Sequence, residues 1–160
     1  GFKAVMIVMK IVFVCLGNIC RAPTAEAVMR QVAHDAGVDL VLDSAGTAAY
    51  HIGKSPDPRS QQAALSRGIH MSDLKARQAT PEDFQVFDCV FAMDQSNYDD
   101  LKRIKPDGSQ ARLQLFLEQY GTLGRNDVPD PYYGGDKGFE LVLDLLEDAC
   151  EQFLKGVNLS

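Results

Sequence analysis

The sequence predicts an α/β protein with three layers, in which a four-stranded parallel sheet is flanked by helices on both faces. The first observation is an alternation of strand-like and helix-like segments in the order β-α-β-α-α-β-α-β-α. Such alternation is typical of parallel sheets whose connecting helices cover both faces. The second observation is that residues 10–15 form an almost continuous apolar run, as expected for a strand buried on both faces.

Two strands and two helices are predicted in the first part of the chain. Pro23 suits the first turn of a helix, and apolar residues at helical spacing continue from Ala25 until Gly37 ends the pattern. Residues 41–45 form the second strand. A loop rich in glycine and proline then leads into a helix over residues 59–67.

The next part of the chain continues the alternation. A short helix begins near Thr80, and residues 87–93 form the third strand. Asp94 is expected to cap a helix that extends to Ile104. Residues 112–115 are predicted to be the fourth strand.

The C-terminal part begins with a long segment without periodicity, residues 121–137. Loops of this length in compact domains are usually functional or disordered. Apolar residues at helical spacing from Phe139 to Phe153 then predict a closing amphipathic helix. We therefore expect a single domain over residues 9–157, preceded by an N-terminal extension of residues 1–8 whose origin the sequence does not give.

The composition is that of an ordinary globular chain with an excess of acidic residues. Of the 160 residues, 46% are apolar and 24% charged, and the formal net charge is −6, which argues against nucleic acid as a partner. Lys10 interrupts the apolar residues 5–16, which favours a buried strand over a secretory signal. No stretch approaches the length of a membrane span. We expect a cytoplasmic protein that binds neither nucleic acid nor membrane.

The most informative segment is residues 15–21, Cys-Leu-Gly-Asn-Ile-Cys-Arg, which joins the first strand to the first helix. A strand, a short loop and a helix N-terminus form an anion site, because successive backbone N–H groups converge on one phosphate. The sulfur of Cys15 would lie beneath the anion, and Arg21 would bind it with a planar fork of donors. We expect the backbone to bind the anion at Leu16, Gly17, Asn18, Ile19 and Cys20.

Cys15 has the surroundings of a reactive thiol. A helix N-terminus and a nearby arginine both lower the pKa of a cysteine, to about 3.5–7.5 in such sites. A thiolate is a strong nucleophile that can accept a phosphoryl group and later release it. We therefore expect Cys15 to be an anionic nucleophile rather than a buried core cysteine.

Other phosphate and metal chemistries are disfavoured. An ATP-type phosphate loop needs a lysine followed by serine or threonine after its glycines, and this loop has neither. The cysteines contain no CxxC pair, and His34, His51 and His70 form no metal-spaced cluster. We expect no metal or cofactor, solvated or core histidines, and buried core thiols at Cys89 and Cys150.

Cleavage of a phosphate ester also requires a proton donor, and two aspartates share the local sequence Pro-Asp-Pro. Asp57 precedes a helical pattern, so a helix N-cap is the better interpretation for it. Asp130 lies in the long loop, where its flanking prolines restrict the backbone and no helix begins immediately. A stiff loop can hold a carboxyl group over a pocket, and we therefore assign Asp130 as the general acid.

Several loop residues are further candidates for the site. Tyr50, Tyr132 and Tyr133 could form walls that contact a planar aryl substrate, although ordinary partial packing explains each equally well. Cys20 follows Cys15 within the same loop. It either forms a disulfide with Cys15 under oxidising conditions or contributes only its backbone N–H to the anion site.

From Met9 onward the chain resembles the low molecular weight protein tyrosine phosphatases. The resemblance is carried by VCLGNICR (residues 14–21) with PTAE (23–26), by DSAG (43–46) and by DPYYG (130–134). It implies a four-stranded parallel sheet and a phosphocysteine mechanism without metal. It also implies that Cys15 is the nucleophile, Arg21 the phosphate clamp, and Asp130 first the acid and then the base.

The resemblance implies supporting roles as well. Asn18 and Ser44 would brace the phosphate loop, and Tyr50 and Tyr132 would line the cleft.

Two positions depart from the pattern of this family. Ala22 stands where the family has serine or threonine, whose hydroxyl would donate a hydrogen bond to the cysteine thiolate. Loss of a hydrogen bond to a charged group costs roughly 1.5–3 kcal/mol, so we expect turnover about ten- to a hundredfold slower. Leu74 stands where the family often has a histidine that supports the loop asparagine. Phosphate binding is expected to survive both changes.

The sequence therefore favours a phosphotyrosine protein phosphatase that hydrolyses aryl phosphate monoesters. Its partners would be a phosphotyrosine-containing protein or a small aryl phosphate, with inorganic phosphate or a similar oxyanion in the loop. Arsenate reduction on the same fold is one alternative, but it needs further cysteines to relay a disulfide, and Cys89 has no partner near it in sequence. A low-activity phosphotyrosine-binding protein is another, but binding alone would not require Cys15, Arg21 and Asp130 together.

Overall fold

The computed structural model describes residues 8–158, apart from the side chains of Tyr133 and Asn158. Of the predicted N-terminal extension, residues 1–7 lie outside the described residues. The strands are β1 (Met9–Cys15), β2 (Leu40–Gly46), β3 (Cys89–Ala92) and β4 (Arg112–Leu115). The helices are α1 (Arg21–Ala36), α2 (Pro58–Leu65), α3 (Asp83–Val86), α4 (Gln95–Ile104), α5 (Phe116–Tyr120) and α6 (Gly135–Asn158). None of these helices is both long and apolar enough to span a bilayer.

The strands form a parallel sheet in the spatial order β2-β1-β3-β4. Their carboxyl ends meet at one edge, where Cys15 pairs with Gly46 and Val14 pairs with Ala92. Ligands of open parallel sheets bind outside this edge. The predicted four-stranded parallel sheet is confirmed, and β1 at its centre delivers the predicted phosphate loop to the ligand-binding edge.

Alternate residues of β1 pack into two separate cores, so helices cover both faces of the sheet. Ile11 and Phe13 point into the core that contains residues of α1, α5 and α6. Val12 and Val14 point into the second core, which contains residues of α3 and α4. All four side chains have 0% exposure, which explains why the run carries no polar alternation.

Helix α5 is the one complete α-helix that the sequence analysis did not predict within the described range. It has only five residues and follows β4 directly, so no turn residue separates the two elements. Its first residue packs its ring 5.2 Å from the ring of Phe13 and 5.0 Å from that of Phe91. Tertiary packing of Phe116, rather than a local helical pattern, therefore sets this helix.

Other differences concern the ends of elements. Helix α1 begins at Arg21, before Pro23, because the phosphate loop runs directly into the helix. It ends where predicted, at Gly37, which takes the left-handed conformation with φ of +69°. Helix α3 begins at Asp83 rather than near Thr80, whose N–H donates 2.9 Å to the Asp83 carboxylate in the preceding turn.

The prediction that no helix begins after Asp130 is wrong. Residues Pro131–Tyr133 form a 3₁₀ helix, and Asp130 caps it by accepting a hydrogen bond from the N–H of Tyr132 at 3.0 Å. The fixed φ of Pro131 suits the first position of a helical turn. Helix α6 then starts at Gly135, so the predicted long loop contains two helical elements near its end.

Candidate active site

The loop between β1 and α1 is held through its carbonyl groups. Two carbonyl groups of the loop accept backbone N–H groups from other segments, Leu16 from Ala48 (2.9 Å) and Ile19 from Asp57 (2.8 Å). The last two carbonyl groups of β1 do the same, Val14 from Met93 (3.0 Å) and Cys15 from Thr47 (2.9 Å). The C=O and N–H groups of a trans peptide unit point in opposite directions. Outward carbonyl groups therefore turn the N–H groups of the loop toward its interior, as an anion site requires.

A pocket of about 230 Å³ lies at this loop. It is lined by Cys15, Leu16, Gly17, Asn18, Ile19, Cys20, Arg21, Tyr50, His51, Asp130, Pro131 and Tyr132. The three residues assigned to catalysis from the sequence thus contribute to one pocket. Two of the predicted tyrosines are also in its wall, whereas the side chain of Tyr133 is outside the described part of the structure.

The sulfur of Cys15 lies at the base of the pocket with 2% exposure of the residue. It accepts a hydrogen bond from the N–H of Asn18 at 3.2 Å and another from the N–H of Ala22. Burial raises the pKa of the Cys15 thiol above its ordinary value, and the lowering effects of Arg21 and of these two N–H groups do not offset it. The sequence-based expectation of a lowered pKa is therefore contradicted, because it left out the desolvation of a thiolate at the end of a fully buried strand.

Arg21 is held in place by groups that the sequence analysis did not assign to the site. Its Nη1 donates to Asp94 Oδ2 at 2.6 Å and to the carbonyl oxygen of Val128 at 3.1 Å. All hydrogen bonds of this guanidinium to described residues use Nη1, which leaves Nε and Nη2 for an anion. Burial lowers the pKa of Arg21, but the neighbouring Asp94, Cys15 and Asp130 raise it further, so the clamp stays charged.

Asp94 was predicted only as the cap of α4, a role that it also performs, since its Oδ1 accepts from the N–H of Asn97 at 2.8 Å. A signal for its second role was present in the sequence. It follows the third strand directly, and residues at the carboxyl ends of parallel strands lie next to the ligand site.

Asn18 and Ser44, the two residues expected to brace the loop, are in contact through the backbone of Ser44. Asn18 takes the left-handed conformation with φ of +57°, and its Nδ2 donates to the carbonyl oxygen of Ser44 at 3.2 Å. Its Oδ1 is buried and has no hydrogen-bond partner among the described residues. Leu74, whose side chain carries no donor, packs against the core.

The two Pro-Asp-Pro segments differ in the structure as the sequence predicted. Asp130 lines the pocket that contains Cys15. Asp57 is absent from the pocket wall and caps α2, where its Oδ1 accepts from the N–H of Arg59 at 2.8 Å. Of these two aspartates, only Asp130 therefore borders the pocket that contains the sulfur.

The mouth of the pocket is aromatic. Tyr50 is 72% exposed and Tyr132 is 45% exposed, so both rings are available to a ligand. His51, which was expected to be an ordinary solvated or core histidine, also lines the pocket. It packs so closely on the loop that a Cβ on Gly17 would lie 2.9 Å from His51 Cδ2. His51 directly follows Tyr50, a predicted pocket residue, and this position in the sequence could have identified it as part of the pocket wall.

The remaining cysteines are all buried, as was predicted for Cys89 and Cys150. Cys20 is buried, burial raises its pKa, and its thiol is hydrogen-bonded with Ser60 and Tyr132. Cys89 and Cys150 are buried core residues. Cys89 pairs with Ile11 in the sheet, four positions before Cys15, which corresponds to about 13 Å along the strand. A disulfide needs a Cα separation below about 7 Å, so Cys89 cannot pair with Cys15 in this fold.

Metal binding has no candidate residues in the described range. No group of three or more histidine, cysteine, aspartate or glutamate side chains between residues 8 and 158 is arranged to hold a metal ion.

Comparison with known proteins places these features in a family. The sequence model described as "Low molecular weight phosphotyrosine protein phosphatase" matches residues 10–160. A protein of that name from Schizosaccharomyces pombe is 44% identical over 151 residues, which cover 92% of this chain and 96% of the relative.

Solved structures with the same fold are also similar in sequence. A protein tyrosine phosphatase from Entamoeba histolytica, with Hepes in its active site, is 42% identical with a TM-score of 0.89 over 94% of this chain and 97% of its own. The Drosophila arginine phosphatase is 31% identical with a TM-score of 0.87, over 93% of this chain and 98% of its own.

The close approach of β2 to the phosphate loop generates a first prediction. A Cβ on Gly46 would lie 2.6 Å from the carbonyl oxygen of Leu16 and 3.1 Å from the carbonyl carbon of Gly17. We expect Gly46→Ala to displace the loop and to weaken binding of inorganic phosphate by about tenfold or more, measured by titration calorimetry.

The matched control for this change is Gly156→Ala in α6, where an added Cβ meets no atom within 4 Å. That variant is expected to bind phosphate as the parent does. Unchanged phosphate affinity in Gly46→Ala would show that the loop does not depend on this contact.

Proposed function

Because the chain belongs to the low molecular weight phosphotyrosine protein phosphatase family, we propose that it hydrolyses phosphotyrosine through a phosphocysteine formed on Cys15. The single observation that supports this most is the composition of one small pocket. Asp130 lies far along the chain from the segment that contains Cys15 and Arg21, yet all three residues line it. They supply the nucleophile, the anion clamp and the proton donor that cleavage of a phosphate monoester needs.

In the first step, the phosphate group binds to the loop N–H groups and to Nε and Nη2 of Arg21. These donors stabilise the charge that spreads over the equatorial oxygens during phosphoryl transfer. The sulfur of Cys15 attacks phosphorus as a thiolate, and the bond from phosphorus to the phenolic oxygen breaks. Asp130 donates a proton to that oxygen, so the leaving group departs as a neutral phenol.

In the second step, a water molecule attacks the phosphocysteine from the side that the phenol has left. Asp130, now a carboxylate, accepts a proton from this water, and the bond from sulfur to phosphorus breaks. Cys15 leaves as a thiolate, which the N–H groups of Asn18 and Ala22 stabilise. The products are inorganic phosphate and the free enzyme.

The mouth of the pocket supports an aryl ester as substrate. The exposed rings of Tyr50 and Tyr132 can flank a planar phenyl group while its phosphate reaches the loop. The whole substrate would be a phosphotyrosine-containing protein or a small aryl phosphate. We further propose a cytoplasmic location, because reducing compartments keep a catalytic cysteine in the thiol form, in which all four cysteines of this chain occur.

The nucleophile is tested by trapping. Acid quenching during turnover of 4-nitrophenyl phosphate, followed by mass spectrometry, should detect a phosphoryl group on Cys15. Cys15→Ser should lose both this adduct and the release of nitrophenol. Cys20→Ser serves as the matched control and should still form the adduct, because Cys20 is expected to contribute its backbone N–H. Release of nitrophenol by Cys15→Ser would contradict the assignment.

The acid is tested by the dependence on the leaving group. Asp130→Ala should lower kcat/KM for phenyl phosphate by about 10²–10⁴-fold, because phenolate is a poor leaving group without a proton. The loss should be much smaller for 4-nitrophenyl phosphate, whose phenol is more acidic. Equal losses for the two esters would count against Asp130 as the proton donor.

The substitution at position 22 generates a separate prediction. Ala22→Ser would place a hydroxyl next to the sulfur, where it can donate to the thiolate, so it should lower the pKa of Cys15 and raise kcat about ten- to a hundredfold. The rate of alkylation by iodoacetate against pH reports the pKa. Ala36→Ser, on the exposed end of α1, is the control and should change neither quantity. An unshifted pKa in Ala22→Ser would refute the role given to the missing hydroxyl.

A further inference from the structure

Asp57 contacts both of the loops that build the active site. Its backbone N–H donates to the carbonyl oxygen of Ile19, in the phosphate loop, at 2.8 Å. Its Oδ2 accepts the hydroxyl of Tyr132, in the loop that carries the general acid, at 2.8 Å. The side chain of Asp57 is 11% exposed, whereas its partner Tyr132 is 45% exposed. One residue outside the pocket thus connects the two loops.

Tyr132 extends this connection to the general acid. Its backbone N–H donates to Asp130 Oδ1 at 3.0 Å, while its hydroxyl is bound to Asp57. The hydroxyl of Tyr132 is therefore bound to one carboxylate, Asp57, and its backbone N–H to another, Asp130. Movement of the Tyr132 ring away from Asp57 would change the direction of the N–H group that orients Asp130.

Arg59 holds the ring from the other side. Its guanidinium carbon lies 4.7 Å from the centre of the Tyr132 ring and 4.9 Å from that of Phe139, in cation–π contact with both. The same guanidinium pairs with Asp57, with Nε 3.3 Å from Oδ1. Burial and the hydrogen bonds with Cys20 and Asp57 raise the pKa of Tyr132, so its hydroxyl keeps the proton that it donates.

We propose that Asp57 is a positioning residue that acts through Tyr132 to hold Asp130 over the sulfur of Cys15. The proposal rests on the proposed function, since it assigns a partner to the general acid of that reaction. Asp57 itself is not in the pocket wall and contacts no reacting atom. Its effect on catalysis should therefore resemble a partial loss of Asp130 and should not alter the binding of phosphate.

The test uses two variants that break the bridge differently. Asp57→Ser keeps a good N-cap for α2 but is too short to reach the Tyr132 hydroxyl. Tyr132→Phe removes only one oxygen atom and leaves Asp57 in place, so it remains informative if the first variant folds poorly. Asp73→Ser is the matched control, because it removes a carboxylate that pairs with Arg30 on the surface. Thermal unfolding of each variant confirms that it is folded at the assay temperature.

The readout is kcat/KM for a series of aryl phosphates, which reports the steps up to release of the phenol. We expect Asp57→Ser and Tyr132→Phe each to lower kcat/KM for phenyl phosphate by about tenfold and for 4-nitrophenyl phosphate by less than about twofold. The double variant should lose no more than either single variant. In the Asp130→Ala background, Asp57→Ser should add no further dependence on the leaving group.

Three results would overturn the proposal: equal losses for both esters, losses that multiply in the double variant, or an added leaving-group dependence in the Asp130→Ala background. The affinity for inorganic phosphate should stay within about twofold of the parent in both variants, whereas a merely structural disturbance of the phosphate loop would reduce it. An inactive parent protein, or an active Cys15→Ser, would instead refute the proposed function and this inference with it. An active parent with Asp57→Ser indistinguishable from Asp73→Ser would refute the inference alone.

Discussion

The active site depends on how the carbonyl groups of one loop are held. Segments that follow β2 and β3, and the residue that caps α2, each donate a backbone N–H to a carbonyl of this loop or of the strand before it. These hydrogen bonds fix the directions in which the N–H groups of the loop point. Backbone donors that are turned inward and lack protein acceptors are costly to bury, and an anion with several oxygens satisfies them together. The hydrogen bonds at the carboxyl edge of the sheet therefore shape the proposed phosphate site.

The position of Cys15 at the end of a buried strand makes the thiolate form of the proposed nucleophile unfavourable. Cys15 belongs to the central strand, so its sulfur enters the site from the core and is almost completely desolvated. The single guanidinium of Arg21 faces it, but this cation is already paired with Asp94 and lies near Asp130. Under these conditions each hydrogen bond to the sulfur has a large effect on the thiolate. The absence of a side-chain hydroxyl at Ala22 should therefore have a large effect on the stability of the thiolate.

Comparison of the two Pro-Asp-Pro segments shows what local sequence can distinguish. Both aspartates accept the N–H of the second residue after them, and both precede a helical element. The helical periodicity after Asp57 identified it as a cap, and the absence of that periodicity directed attention to Asp130. The structure adds that Tyr132 connects the two, a hydrogen bond between residues 75 positions apart that no local pattern contains.

The sequence by itself determined the alternation of strands and helices, apart from α5 and the 3₁₀ helix after Asp130, as well as the parallel sheet and the choice of Cys15, Arg21 and Asp130 as candidate site residues. Periodicity, helix-ending glycine and an anion-binding loop are local properties, and local properties can be read along the chain. Only the tertiary structure decided the desolvation of Cys15, the ion pair of Arg21 with Asp94, the contact of His51 with the loop and the helix at Phe116. Each of these depends on desolvation or on a contact between distant segments, and neither exists until the chain has folded.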